Sequence, residues 1–476
     1  MIRAGLLCSL AVAAVMQAQQ PDLVLTGSVA SADNHTYREV PFQVPAGTRR
    51  LTIELSYTGR EQHTTIDMGL FDPERFRGWG GGKQGPVTLS ETDATPSYLP
   101  GPIRPGEWKL LLGVPNIRAG VRSQFTAKIY FAPVSAMAVR TGTAWYRGDL
   151  HLHTAHSDGS CLSQSGKPVP CPAFKILDAA AAKGLDFIAI TDHNTTSHYD
   201  AIRELQPYFD RLLVIHGREI TTFEGHANVY GTTEFIDFRV GSPAVPTINA
   251  LLQRVEALHG LFSVNHPNDP SGEACMGCGW TAADANFGLI QAVEAVNDGN
   301  GEGPLSGIPF WESHLSRGFH LTAIGGSDTH RPDETGKPHS GVGYPTTVVM
   351  ASELSEVAIL DGIRAGHVFI DLEGTRNRQL EFRATCRGKT AIMGDALDAP
   401  SGAAIHFAVR VAGASGAAVE AIEDGRAIPV TAQPAISGDA IQGSFERAGD
   451  GRHHWIRINI RDRAGRLLLV GNPIYY

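Results

Sequence analysis

Long apolar runs, cysteines and surplus basic charge are all scarce in this sequence, and each scarcity excludes something. One apolar stretch stands out, residues 5–16 (GLLCSLAVAAVM), preceded by Arg3 and followed by the small residue Ala18. It is too short to cross a bilayer and has the layout of an export leader, which places the mature chain in the periplasm or outside the cell. The bland alternative is a buried or retained N-terminal helix. Lys and Arg number 40 against 49 Asp and Glu, a net charge of −9, with an isoelectric point near 6.1. That balance argues against a nucleic-acid footprint. It leaves a small anionic substrate open, because bound metal would supply positive charge locally. Internal repeats are absent. The glycine-rich run 78–85 (GWGGGKQG) lacks the flanking strand and helix and the Gly-Lys-Ser/Thr ending of a phosphate-binding loop.

Besides Cys8 in the leader, the cysteines are Cys161, Cys171, Cys275, Cys278 and Cys386. In an oxidising compartment the first four are expected in disulfides rather than around a metal, with a zinc knuckle as the sharper alternative. Spacing does not fix their pairing. Cys386 reads as a lone buried thiol.

The remaining composition is that of a globular protein, 42% hydrophobic and 19% charged over 476 residues, enough for several domains. Short alternating runs separated by Gly and Pro clusters fill residues 20–140, for example RLTIELSY at 50–57 and WKLLLGV at 108–114. This pattern predicts an antiparallel β-sandwich. From about 141 the character changes. Strand patterns at 147–153, 185–191, 212–220, 261–265, 291–296 and 321–325 alternate with helical ones at 173–183, 197–205, 247–259 and 310–317; another helix is expected at 351–366 and a strand at 367–371. Six or seven such βα units imply an α/β barrel. Alternating β runs return after 377. The expected division is a leader at 1–18, an N-terminal β-domain at 19–140, a barrel at 141–376 and a C-terminal β-domain at 377–476.

The ends of the central strands carry the chemistry. The first reaches Asp149-Leu150-His151-Leu152-His153, with Asp158 in the loop beyond. Alternation puts 149, 151 and 153 on one face. The next ends carry Asp192 and His193, then Arg218 and Glu219, then His226; Asn265 and His266, Glu294, and Asp328 and His330 follow. In a barrel, strand C-termini gather at one face, where active sites lie. One histidine at a strand end is usually a satisfied polar residue. So many imidazoles and carboxylates converging would be costly without compensating ions. His151, His153, Asp158, His193, Glu219, His226, His266, Asp328 and His330 form a ligand set suited to zinc, manganese or iron. Their number suits two or three divalent ions, and multinuclear sites activate water and stabilise attacking and leaving oxygens. With neither a serine elbow nor a cysteine–base pair in evidence, a metal-bound hydroxide is the expected nucleophile.

GDLHLHTAHSDGS, GLDFIAITDHN, GREITTFEGHANVYG, NHP and GGSDTH follow one another in this order. Over residues 145 to 371 the chain resembles the polymerase-and-histidinol-phosphatase superfamily, and within it the exported carbaryl-hydrolase-like branch. The resemblance implies a distorted seven-stranded βα barrel, here flanked by β-sandwich-like domains. It implies a first ion on His151, His153, Glu219 and Asp328. Glu219 would bridge to a second ion on His226 and His266, and Asp158, His193 and His330 would hold a third. Asp149 and Asp192 would orient imidazoles, and Glu294 would either do so or be a structural acid. Asn265 and Asn297 are read as local hydrogen-bonding residues.

Glu219, Asp328 and Asp192 are the expected catalytic carboxylates. Arg218 and Arg331 are candidates for gripping a substrate phosphate, each equally readable as a structural ion pair. Lys337 and His339 lie in a glycine-rich loop just past the last motif; the other histidines outside the motifs are read as surface or core residues. The expected substrate is a small ester, with a phosphoester favoured. A carboxylic or carbamate ester is the alternative, for which Trp280, Phe287, Phe310 and Trp311 could line an apolar pocket or simply pack the core. A non-catalytic metal- or carbohydrate-binding module is the third reading. A nuclease is disfavoured by the acidic balance, and no membrane association is expected beyond the leader.

Overall fold

A computed structural model describes residues 20–81, 85–133, 138–273, 275–332, 341–434 and 440–476. The predicted leader, Lys337 and His339 lie outside them. The chain divides into two compact units, Met1–Ser135 and Ala136–Tyr476. Among the described residues no helix is long and apolar enough to cross a membrane.

The first unit contains two four-stranded antiparallel sheets. One orders Leu23–Ala30, Arg122–Ala132, Arg50–Tyr57 and Val87–Ser90; the other orders Thr36–Val44, Gly106–Asn116, Thr65–Phe71 and Phe76–Gly80. Alternation explains the layering. In Arg50–Tyr57, Leu51 and Ile53 are fully buried, as are Trp108, Leu110 and Leu112 in Gly106–Asn116. They share one apolar core.

The second unit is built on a fourteen-stranded sheet. Its order from one end is Thr322–Gly326, Ala292–Asn297, Leu261–Val264, His226–Tyr230, Leu213–Thr221, Phe187–Ile190, Arg140–Asp149, Thr346–Leu354 and Val368–Asp371. It continues into the C-terminal strands Leu467–Gly471, Trp455–Arg461, Ala418–Glu423 and Arg426–Ile428, and the fourteenth, Ile474–Tyr475, pairs with Trp455–Arg461 off this path. A five-stranded sheet, with Gln379–Cys386 and Ala404–Ala412 at its centre, packs its apolar face on these strands.

This corrects the expectation of a helix-rich, seven-unit βα barrel. The chain is mostly β, 42% strand and 13% helix, and the α-helices among the described residues number five, of eight to eleven residues each. Two physical reasons stand out. His226–Tyr230 pairs antiparallel to Leu213–Thr221 on one side and to Leu261–Val264 on the other, so the parallel part is split into two groups of three strands. The sheet also runs on through antiparallel strands instead of repeating βα units. Residues 351–366 differ for a local reason. Ala351–Leu354 completes a strand, and the helix begins only at Glu356, where the Ser355 side chain accepts a hydrogen bond from Ala358 N.

The C-terminal strands brace the strand that leads to Asp328. Asn472, fully buried, accepts from Ala323 N and donates to Ala323 O and Val368 O at 2.8–2.9 Å. Arg457 binds Glu312 of helix Ile308–Leu315 at 2.6 Å. Replacing Asn472 with Leu strands these backbone groups in the interior. A loss of about 1–3 kcal/mol is expected, read as a lower denaturation midpoint at unchanged slope.

Candidate metal centre

The motif residues converge where the parallel strands end. Phe187–Ile190 (FIAI) is buried on both faces, so its chemistry appears only beyond it, at Asp192 and His193. On Leu213–Thr221 alternation turns Glu219 into the cluster and Arg218 away from it. His266 and Asp328 have φ of 22° and 52°. A non-glycine residue in this region is strained, and both lie where a side chain must re-aim at a strand's end.

Glu219 is the hub. Its Oε2 lies 3.3 Å from His151 Nε2, 3.5 Å from His153 Nε2 and 2.9 Å from His193 Nδ1. Its Oε1 lies 3.2 Å from His226 Nδ1 and 3.4 Å from His266 Nε2. Each oxygen thus serves its own set of imidazoles. Asp328 Oδ1 lies 3.0 Å from His153 Nε2 and 3.3 Å from His151 Nε2. Asp158 closes the outer edge, 3.2 Å from His330 Nε2 and 3.7 Å from His193 Nε2.

Four groups have ligand atoms within 4.8 Å of one another: His151–His153–Asp328, His151–Glu219–His266, His153–Asp158–His193–His330 and His226–Cys275–Cys278. The first three overlap through His151 and His153, as a multinuclear centre requires. His226 faces two ways: its Nδ1 meets Glu219 Oε1 beside His266, as expected, and the ring also groups with the two cysteines.

The donor set fits divalent ions. His151 Nε2 and Glu219 Oε2 are buried and have no hydrogen-bond partner, although they face each other. Such atoms are costly to bury unless they ligate. The other nitrogen of His151, Nδ1, is held by Glu294 Oε1 at 3.0 Å, which leaves Nε2 aimed inward. Glu294 therefore orients an imidazole. Its Oε2 accepts from His266 N and from Asn297 Nδ2. Asn265 donates to Glu219 Oε1 at 3.0 Å, and Thr221 Oγ1 lies 2.7 Å from His193 Nδ1. Thr221 was missed in the sequence, although it shares a strand face with Glu219 two residues away.

Three assignments change. Asp192 accepts from Thr154 N, Thr154 Oγ1 and Ser157 Oγ at 2.5–2.7 Å. It anchors the loop that carries Asp158 and orients none of the motif imidazoles. Asp149 accepts backbone N–H groups of His151, Ser327 and Gly343, not an imidazole; burial pushes its carboxyl up to about 6. Arg218 is buried on the opposite face of its strand, donating to Glu234 O above the Tyr199 ring. It is not brought into the cluster. Arg331 is exposed beside His330.

The cysteines divide. Cys275 and Cys278 are disulfide-bonded, while Cys161, Cys171 and Cys386 are buried and keep their thiols. Cys161 is paired in a hairpin with Val169, and Cys171 lies past the end of that ladder.

Charge is strongly coupled here. Burial alone would lower His266, but Glu219, Asp328 and Glu294 outweigh it and raise it to about 9. His151 rises well above its ordinary value against the same burial penalty. Burial opposes ionisation of Glu219 and Asp328, yet the histidines hold both well below the usual carboxylate range.

No family model matches the chain. Over 165 residues it is 31% identical to the uncharacterized protein MJ1587 of Methanocaldococcus jannaschii, covering 34% of this chain and 88% of that one. The chain belongs to that protein's family, which brings no activity with it. Among solved structures, a Bifidobacterium adolescentis protein provisionally named a metal-dependent phosphoesterase is 17% identical, with 45% of this chain and 94% of that one covered at a TM-score of 0.31. So loose a superposition carries no argument.

Two outcomes are expected. Glu294→Gln removes the charge behind His151 and weakens ion binding about 10–100-fold in a chelator competition. A raised histidine contributes stability below its unfolded value of 6.5, lost as pH rises through about 9. The ion-free protein should therefore lose melting temperature from pH 6.5 to 9, while ion binding tightens over the same range as protons stop competing.

Proposed function

We propose that this chain is a metal-dependent hydrolase of the polymerase-and-histidinol-phosphatase type, acting on small phosphoesters. The observation that carries the reading is Glu219. One carboxylate oxygen faces His151, His153 and His193 and the other faces His226 and His266. Storage of a single ion needs no such bridge. When bound, two or three divalent ions supply charge neutralisation to an anionic ester and acidify water.

The chain's own residues do the rest. Glu219 and Asp328 would be the carboxylate ligands to the ions. Glu294 sets the tautomer of His151 by binding its Nδ1. Asp158, His193 and His330 stand at the outer, more exposed edge of the cluster, where substrate would enter.

The carbamate-ester alternative asked for an apolar pocket built from the aromatics between His266 and Asp328. Trp311 is fully buried with its Nε1 donating to Leu321 O, and Phe287 and Phe310 pack around His314. These three belong to the core. Trp280, half-buried beside Gly225 and hydrogen-bonded through its backbone N–H to Pro267 O, is the one of the four that stands near the centre, and the phosphoester reading rests on the bridging carboxylate. Export remains part of the proposal, supported by the leader-like N-terminus and by the Cys275–Cys278 disulfide.

The test is parallel turnover of p-nitrophenyl phosphate, bis(p-nitrophenyl) phosphate and 1-naphthyl N-methylcarbamate, with and without added manganese or zinc. Metal-dependent release from the phosphates is expected. His151→Ala with His153→Ala should abolish it while circular dichroism still reports a folded chain. Release from the carbamate alone would overturn the phosphoester assignment.

A further inference from the structure

The centre uses one of its candidate imidazoles ambiguously. His226 Nδ1 is 3.2 Å from Glu219 Oε1, and its Nε2 is 3.2 Å from the carbonyl of Met276, the residue after Cys275. A ring nitrogen of His226 and both cysteine sulfurs lie within 4.8 Å of one another. The same loop reaches the neighbouring ligand, since His266 Nδ1 is 3.2 Å from Cys278 O. The loop of Cys275 to Cys278 thus holds the outward nitrogens of both histidines on the Oε1 side of Glu219.

The loop is pressed against its surroundings. Gly277 has φ of 79°, and a Cβ there would come within 2.0 Å of Thr222 O; one at Gly279 would come within 2.3 Å of Asp269 O. These glycines let the cysteines close in on His226, which opens the strand just beyond Thr222. Cys278 is 7% exposed and Cys275 half-buried, so an external reductant can reach the pair from one side.

We propose that His226, Cys275 and Cys278 form a second, redox-gated metal site that takes a thiophilic divalent ion such as zinc once the disulfide is opened. An external dithiol supplies two electrons and two protons. The S–S bond breaks, two thiols form, and the dithiol closes to its own disulfide. Binding the ion then releases the two thiol protons, and neutral His226 provides the nitrogen. Two thiolates and an imidazole leave one position of a tetrahedral ion open. In the oxidised chain the same loop instead orients His226 and His266 toward Glu219. Opening the disulfide therefore gives His226 two sulfur donors as neighbours in addition to Glu219. The assignment needs only these three side chains and holds whatever reaction the Glu219 centre performs.

The test uses the full chain, freed of metal, before and after dithiothreitol treatment and anaerobic desalting, titrated with cobalt(II). A sulfur-to-cobalt charge-transfer band is expected in the reduced protein and not in the oxidised one, together with about one further cobalt per chain in elemental analysis. His226→Gln should weaken that binding by about tenfold or more. Absence of the band, when alkylation and mass spectrometry show Cys275 and Cys278 reduced, overturns the site. So does a band that persists in Cys275→Ser with Cys278→Ser, since Cys161, Cys171 or Cys386 would then supply the sulfur. Unchanged affinity in His226→Gln overturns the role of the histidine. Cobalt bound by the oxidised protein reports the Glu219 centre, which shares His226 with the thiolate site, and Cys275→Ser with Cys278→Ser tells the two apart because it removes only the sulfur donors.

Discussion

Placing one carboxylate between two sets of imidazoles is the constraint on which the second unit turns. Glu219 is 1% exposed and faces five histidines. So many titratable groups cannot be buried together unless positive and negative charge balance at every atom. Without ions, protonated histidines supply that balance. With ions, the protons leave and the same carboxylates serve as ligands. The strained backbone at His266 and Asp328 fits this picture, because both residues sit where a strand's direction and a ligand's required direction differ.

A shell of ordinary polar residues keeps the donors aimed. Glu294 and Asn297 stand behind His151 and Asp328, Asn265 holds Glu219 and Thr221 holds His193. Backbone carbonyls of Met276 and Cys278 do the same for His226 and His266. Gly326 belongs to this shell by having no side chain. A Cβ there would lie 2.1 Å from Glu294 Oε1 and 2.5 Å from His151 Cβ.

Much of this was legible in the sequence because strand parity and motif spacing are local signals. Five of the six strands leading to the motifs stand within two residues of their expected places, the first instead spans Arg140–Asp149 and ends short of His151, and the motif histidines do converge. Parity also contained the answer for Arg218, which must face away if Glu219 faces in. Asp192 misled because a carboxylate beside His193 resembles an orienting partner, and only the path of the loop through Thr154 and Ser157 shows what it binds. The barrel expectation failed at His226–Tyr230. Its run was not among the expected strands, and nothing local marks it as an antiparallel insertion between parallel groups. Pairing direction is a long-range property, and so is the continuation of the sheet into the C-terminal strands.

That continuation has a consequence for how the chain is made. Ala323, at the head of the strand that delivers Asp328, is held by Asn472, 149 positions later. During synthesis every ligand from His151 to His330 leaves the ribosome well before the strand that braces them. Over that interval the chain exposes a row of soft and borderline donors with no fixed geometry to choose among metals. Ligand type alone discriminates weakly among such metals, so the fixed geometry that could choose among them is complete only once Asn472 has docked.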